Sequence, residues 1–307
     1  MNSESANALL TNIKRAPDGR IINAMSVDIE EYFQVGAFEK TIDKAQWQSI
    51  ASRVEYNTGL VLDLFASKNV HATFFTLGWV AERHPALIKR IVAEGHEIAS
   101  HGYDHTRVHL LDQKTFTADL VKTKNILEQI SGQPVQGYRA PSFSIGEGNL
   151  WALDVLAESG YAYSSSVYPI AHDHYGWPSA SRWAFRPVKN SSMIEIPVTT
   201  VKAFGKIFPC GGGGFFRLLP YNLSRWTIQQ INTVEQQSAM FYFHPWEVDA
   251  DQPVQHSAPL KSRMRHYVNL KHMLGKIASA LDDFHWDRVD RVFLNDVGTL
   301  SAHTQAA

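Results

Sequence analysis

The sequence predicts an α/β protein built on a largely parallel sheet, and three observations predict it. Short apolar runs rich in β-branched and aromatic residues alternate with longer segments of helical period; cap and turn residues fall at the junctions; and polar residues suited to chemistry stand just past several of the runs. Such alternation leaves two architectures, a closed barrel or an open, doubly wound sheet. The first strand runs over 21–28 and ends in Asp28. A helix follows over 49–68, then VHATFFT at 70–76, whose composition is that of a buried strand. The period predicts a second helix over 80–94 with Gly95 as C-cap, and HEIAS at 96–100 as the next strand. The helix over 112–130 has Asp112 as N-cap, Phe116, Leu120, Leu127 and Ile130 along one face, and Gly132 just beyond its end. PVQGY (134–138) is a strand, 150–159 a helix, 161–165 and 193–198 are extended, 222–236 is helical, and AMFYFH (239–244) is a strongly apolar strand. The segments 168–186 and 250–259 are loop-rich, and a helical pattern over 261–281 follows.

Composition narrows what this scaffold serves. A chain of 307 residues with 44% hydrophobic content buries a proper core, and 29 basic against 30 acidic residues give a net charge of -1. That balance supplies no field to gather nucleic acid or an anionic membrane. The first 20 residues lack the basic start, apolar middle and small-residue cleavage site of a signal peptide, and no run of 18 apolar residues occurs, so the expectation is a cytoplasmic protein with no transmembrane segment. One cysteine, Cys210, allows neither an internal disulfide nor a multi-cysteine zinc site. Any metal must therefore be held by histidine and carboxylate.

In either parallel architecture, side chains at the C-terminal ends of strands converge on one rim. Asp28 and Glu30 close the first strand, His101 and His105 follow HEIAS, Arg139 follows PVQGY, and His244 ends AMFYFH. SHGYDH (100–105) sets two imidazoles four positions apart, a spacing shared by paired metal ligands and by ordinary loop histidines; a carboxylate brought beside them would complete a two-histidine, one-carboxylate site. HEIASH is not a zincin helix, because His96 and His101 are five positions apart and that motif needs four. Taken singly, Arg139 reads as a surface ion-pair residue, His244 as a core histidine, and CGGGGF (210–215) as a close-approach loop lacking the lysine of a phosphate loop.

Four motifs in order carry a resemblance: SVDIEEYFQV (26–35), SHGYDH, RAPSFS (139–144) and FYFHPWE (241–247) look like the successive motifs of the polysaccharide deacetylases of carbohydrate esterase family 4. GGGGFFRLLPY (211–221) and HYVNLKHML (266–274) further resemble the subgroup associated with bacterial exopolysaccharide and exosortase loci. The resemblance implies a distorted, incomplete (β/α) barrel over 21–250, with 1–20 as an N-terminal extension and 251–307 as a helical extension packing on the barrel. It implies a metal-dependent N-deacetylase that hydrolyses acetamido groups of N-acetylhexosamine units in a bacterial polysaccharide or its precursor. One divalent ion, zinc first with cobalt and nickel as others, would be held by Glu30, His101 and His105. Asp28 would be the general base, Arg139 would pair with it, and His244 would protonate the leaving amine. Ser142 would offer a backbone N–H to the oxyanion. Apart from the resemblance, Phe143, Trp177, Trp183 and Trp246 are aromatics that could stack on sugar faces, although such residues are more often core, and Phe143 and Trp246 are taken as the glycan-binding candidates.

The sequence departs from the family pattern in three places. Asp28 and Glu30 are separated by Ile29 where two adjacent aspartates are usual; Ser142 replaces an aromatic residue; and no Asp-Trp pair supports His244, Asp173 being the one candidate. Because side chains alternate along a strand, Asp28 and Glu30 share a face and Glu31 is left for a structural role at a helix terminus or a salt bridge. Two other readings stand beside the first: a metal-independent hydrolase of a small cyclic amide or ureide on the same fold, and a catalytically silent glycan-binding protein.

Overall fold

A computed structural model describes residues 13–171 and 176–294. In chain order its strands and α-helices are β1 (Ile22–Ile29), α1 (Val54–Ser67), β2 (Thr73–Thr76), α2 (Gly78–Arg83), α3 (Pro85–Ala93), β3 (Glu97–Ser100), α4 (Gln113–Ser131), β4 (Gly137–Tyr138), α5 (Trp151–Glu158), β5 (Tyr163–Ser164), β6 (Ile194–Glu195), β7 (Thr200–Ala203), β8 (Lys206–Pro209), α6 (Gly213–Leu218), α7 (Tyr221–Thr233), β9 (Met240–Phe243), α8 (Leu260–Tyr267), α9 (Leu270–Asp283), β10 (His285–Asp287) and α10 (Val289–Phe293).

Eight strands form one curled parallel sheet in the order β10-β1-β2-β3-β4-β5-β6, with β9 also pairing β1. The two ends nearly meet, because the Thr199 N–H donates to the Met240 carbonyl at 3.3 Å. This is the incomplete (β/α) barrel that the family resemblance implies, and it agrees with the β/α alternation of the sequence. Strand alternation sorts the core. Met25, Val27 and Ile29 face the helices with Phe74 and Ile98, whereas Ala24 faces the barrel interior with Phe75, Ala99, Tyr163, Ile194 and Met240. Ser26 and Asp28 lie on that second, interior face, which is why an acidic residue ends an otherwise apolar strand without leaving the barrel.

Local sequence explains the helices. Asp112 accepts the Thr115 N–H at 2.7 Å, and Gly132 closes α4 in the left-handed region at φ 69. The single helix predicted over 80–94 is two, because Pro85 has no N–H to continue the ladder and starts α3 at its first turn. The pattern over 261–281 likewise divides, at Asn269 with φ 55, into α8 and α9. After these helices the chain adds a strand the period did not signal: β10 lies parallel to β1 with Ile22 opposite His285 and Ala24 opposite Asp287. At three residues it is too short for a periodicity argument.

Candidate active site

Four strand ends deliver the candidate side chains to one rim. Asp28 stands near the end of β1 with Glu30 just past it, His101 follows β3, Arg139 follows β4 and His244 follows β9. Asp28, Glu30, His101, His105, Ser142, Phe143, His244 and Trp246 line a common cavity of about 600 Å³. Arg139 lies beneath it with no exposed surface.

The floor is a buried ion pair. Arg139 Nη1 donates to Asp28 Oδ1 at 2.5 Å and to Ser26 Oγ at 2.9 Å, Nε donates to the Ser165 carbonyl at 3.2 Å, and Nη2 donates to Ser165 Oγ at 3.0 Å. The Phe75 ring covers the guanidinium at 4.0 Å. Every direction in which this side chain can turn is occupied, so Asp28 is held on one oxygen and leaves Oδ2 toward the cavity. Removing one partner of such a pair costs about 3–5 kcal/mol, because the other charge stays buried and unpaired.

Beside it, Glu30, His101 and His105 each bring a ligand atom within 4.8 Å of the others. Glu30 Oε2 is 2.9 Å from His105 Nε2, is buried, and accepts no hydrogen bond among the described residues. His101 Nδ1 lies 2.8 Å from the Arg139 carbonyl, which fixes that nitrogen as the donor and leaves Nε2 as a lone pair. Burial pushes the His101 imidazolium down to about 4, against the pull of Asp28, so at neutral pH the ring is in its neutral, metal-binding form. Burial alone would raise Glu30, but His105, His244 and His101 bring it down to about 2. An orphaned buried carboxylate oxygen facing two imidazole nitrogens is the donor set of a borderline divalent ion, and these residues fit one. The turn that brings His105 back over the site needs the left-handed region twice, at Gly102 (φ 73) and at His105 itself (φ 60).

The third part is His244. Its Nε2 faces the cavity, 3.3 Å from Glu30 Oε1 and 3.9 Å from Asp28 Oδ2, and its Nδ1 lies 2.8 Å from Glu247 Oε1. Glu247 is in turn bound by Arg217 Nε at 2.6 Å, and Arg217 Nη1 donates to the carbonyls of His266 and Val268, both at 2.8 Å. Burial would lower His244, but Glu30 and Glu247 outweigh it and raise the imidazolium to about 9. Trp246 Nε1 donates to Glu30 Oε1 at 3.3 Å, and its ring stacks on His244 at 5.2 Å and on His266 at 4.1 Å. Sequence reasoning quoted Glu247 inside FYFHPWE without assigning it, and passed over Arg217. The available signal was the i,i+3 spacing from His244 to Glu247 together with CGGGGF: a Cβ on Gly213 would stand 2.3 Å from the Glu247 carboxylate, so glycine is required there. Asp173 lies outside the described residues.

The remaining candidates find their places. Ser142 and Phe143 both sit at positive φ, 54 and 49, which turns the backbone after Pro141 toward the cavity. Glu31 faces away and accepts the N–H groups of Arg53 at 3.0 Å and Val54 at 3.4 Å, capping α1. Cys210 is buried, and burial pushes its thiol up to about 12, so it is inert.

Fold and site together define an incomplete (β/α) barrel with a two-histidine, one-carboxylate centre. The family model Polysaccharide deacetylase matches residues 41–164, and the model of a domain of unknown function, DUF3473, matches 165–294. Among relatives, a peptidoglycan-N-acetylglucosamine deacetylase of Bacillus cereus is 37% identical over 98 residues, 32% of this chain and 36% of the relative. The matches to the first curated relatives span 36%, 45% and 48% of their lengths. A solved structure from Mycobacterium smegmatis, provisionally described as a polysaccharide deacetylase, is similar with a TM-score of 0.60 and 20% identity over 95% of this chain and 96% of that one. A solved allantoinase is similar with a TM-score of 0.58 and 16% identity over 97% and 96%. Both likenesses concern the fold. The deacetylase match contains His101, His105, Arg139 and Ser142, whereas Asp28 and Glu30 precede it and His244, Glu247 and Arg217 fall in the DUF3473 match. Among the described residues, no helix is long and apolar enough to cross a membrane.

Proposed function

We propose that this chain is a divalent-metal-dependent N-deacetylase that hydrolyses acetamido groups of N-acetylhexosamine units in a bacterial polysaccharide or its precursor and releases acetate. The observation that carries the reading is the convergence of three chemically distinct groups on one cavity: the Asp28–Arg139 pair, the Glu30–His101–His105 cluster and the Glu247-backed His244. Amide hydrolysis needs an activated water, a stabilised oxyanion and a proton for the departing amine. Glu30, His101 and His105 would hold a divalent ion, zinc first, which when bound supplies Lewis-acid polarisation of the acetyl carbonyl and of water. Asp28 Oδ2 takes the proton of the attacking water, with Arg139 fixing the other oxygen. The backbone N–H of Ser142, in its left-handed turn, donates to the developing oxyanion. His244 Nε2 gives its proton to the amine, and Glu247 steadies the imidazolium from the far side. Phe143 lines the cavity against the sugar, and Trp246 orients Glu30 and His244.

The ureide-hydrolase reading has only the fold likeness behind it, whereas the deacetylase reading has a complete donor set for an ion and a family match. A silent glycan-binding protein would have no use for base, ion site and acid together. The test is acetate release from a panel of N-acetylated oligosaccharides by chelated protein, with and without added zinc, cobalt or nickel. Metal-dependent acetate release is expected; turnover of a cyclic ureide with no acetate from any glycan would move the chain to the second reading.

A further inference from the structure

Outside the barrel, β7 and β8 form a two-stranded antiparallel hairpin of their own, with Ala203 opposite Lys206 across a two-residue connection. That connection is Phe204–Gly205, and both residues have positive φ, 50 and 74. Tight hairpin turns of this kind ask for Asn, Asp or Gly at both positions, because a side chain with a Cβ is strained there. Here the first position is phenylalanine, and its side chain is 96% exposed. The fold gains nothing from it: the ring touches no core cluster and the backbone under it is strained. Strain kept at an exposed bulky residue points to a role outside the fold.

The rest of the hairpin repeats the pattern. Ile207 and Phe208 on β8 are each 41% exposed, and α7, which packs on β7, shows Leu223 and Trp226 at the surface one helical turn apart. Two lysines, Lys202 and Lys206, flank the tip, and neither forms an ion pair among the described residues. From Thr200 to Pro209 there is no acidic residue. An aromatic tip with aliphatic neighbours and a collar of unpaired cations is complementary to a surface that is apolar below and anionic at the level of its headgroups. The two lysines beside the ring supply the charge complementarity that anionic headgroups offer, next to an aromatic side chain that suits the layer beneath them.

We propose that the β7–β8 hairpin docks this protein on an anionic lipid surface, with Phe204 entering the headgroup–acyl boundary and Lys202 and Lys206 pairing with lipid phosphates. The net charge of -1 provides no long-range attraction, so the contact is local and weak, suited to reversible association. The contact stands independently of which glycan the cavity takes.

The test is flotation of the full chain with vesicles of phosphatidylcholine mixed with phosphatidylglycerol and, separately, of phosphatidylcholine alone. Wild-type protein is expected to float with the anionic vesicles and to be released by high salt. Lys202→Gln with Lys206→Gln should weaken the apparent affinity by about 30-fold, the scale of two cations at an anionic surface. Phe204→Asn should lower it by about 10-fold or more while leaving the melting temperature unchanged or higher, since asparagine accepts the left-handed conformation. That pairing of lost binding with kept stability separates docking from misfolding. Equal flotation with neutral vesicles, variants that float like wild type, or a dimer in solution that Phe204→Asn disperses would each overturn the proposal, the last by giving the patch to a second copy of this chain.

Discussion

Asp28 and His244 face each other across the cavity at 3.9 Å, yet the two halves of the site are made differently. On the Asp28 side every supporting contact comes from the sheet or from its immediate strand ends: Ser26 in β1, Phe75 in β2, Ser165 just after β5 and Arg139 just after β4. On the His244 side support comes from segments between and after strands: Glu247 in the turn after β9, Arg217 in α6, and carbonyls at the junction of α8 and α9. The first half is built from the barrel sheet itself. The second is assembled by the region that matches DUF3473, so the proposed proton donor is the part of the site that this chain shapes with its own C-terminal segments.

The comparison predicts unequal consequences. Asp28→Asn should lower turnover by at least about a hundredfold, the usual scale for a lost general base, while the protein still takes up an ion, because Asp28 is not among the three candidate ligands. Steady-state kinetics alongside metal analysis checks both halves of that statement, and wild-type turnover in the variant would remove Asp28 from the base role.

Glu247→Gln should cost about 10- to 100-fold, as for other groups that orient a functional histidine. It also carries a pH signature. Glu247 is one of the groups that raise His244 to about 9, so replacing it lowers the imidazolium and moves the alkaline limb of the rate profile to lower pH. A profile with unmoved limbs would mean that Glu247 only packs against His244.

Stability must be separated from chemistry in that experiment, and the opposite end of the barrel provides the control. Glu97 opens β3, fully enclosed, accepting from the Tyr163 hydroxyl at 3.0 Å and the Asp290 N–H at 3.3 Å. Burial and the neighbouring Asp290, opposed by Thr73, Arg288 and Tyr163, push it from 4.5 up to about 8. Its folded value lies above its unfolded one, so its stabilising contribution is fully present below 4.5 and is lost as the pH rises toward 8. Glu97→Gln should therefore flatten the melting temperature against pH across that window and leave the limbs assigned to His244 in place. An unchanged melting profile would show that Glu97 titrates normally in the folded chain.

The smallest effect belongs to Glu31→Gln, which should cost about 1 kcal/mol for a weakened helix cap and keep metal affinity and most activity. Thermal melting and zinc titration of that variant measure the two separately.

What the sequence disclosed follows the same division. Asp28, Glu30, His101, Arg139 and His244 were legible because a parallel sheet brings strand ends to one rim whatever their separation in sequence, and because alternation sorts Glu30 from Glu31. Arg217 was not, since 30 positions and a helix intervene before Glu247, and only the packing of glycine backbone on that carboxylate reveals the approach. β10 was missed for want of length, and the break at Pro85 was hidden by a helical period that continues on both sides of it. Local rules read elements that carry their own periodicity; they do not read contacts between two irregular segments.

The central claim is that Glu30, His101 and His105 hold a catalytic ion, and calorimetric titration of zinc into chelated protein tests it most directly, with acetate release followed on the same samples. The account predicts one ion per chain in wild type, affinity lower by about 10-fold or more in Glu30→Gln, no tight site in His101→Ala or His105→Ala, and activity that returns in step with occupancy. Chelated protein that turns over at the wild-type rate with no bound ion, or a Glu30→Gln variant that binds zinc as tightly as wild type while Glu31→Gln does not, would contradict it.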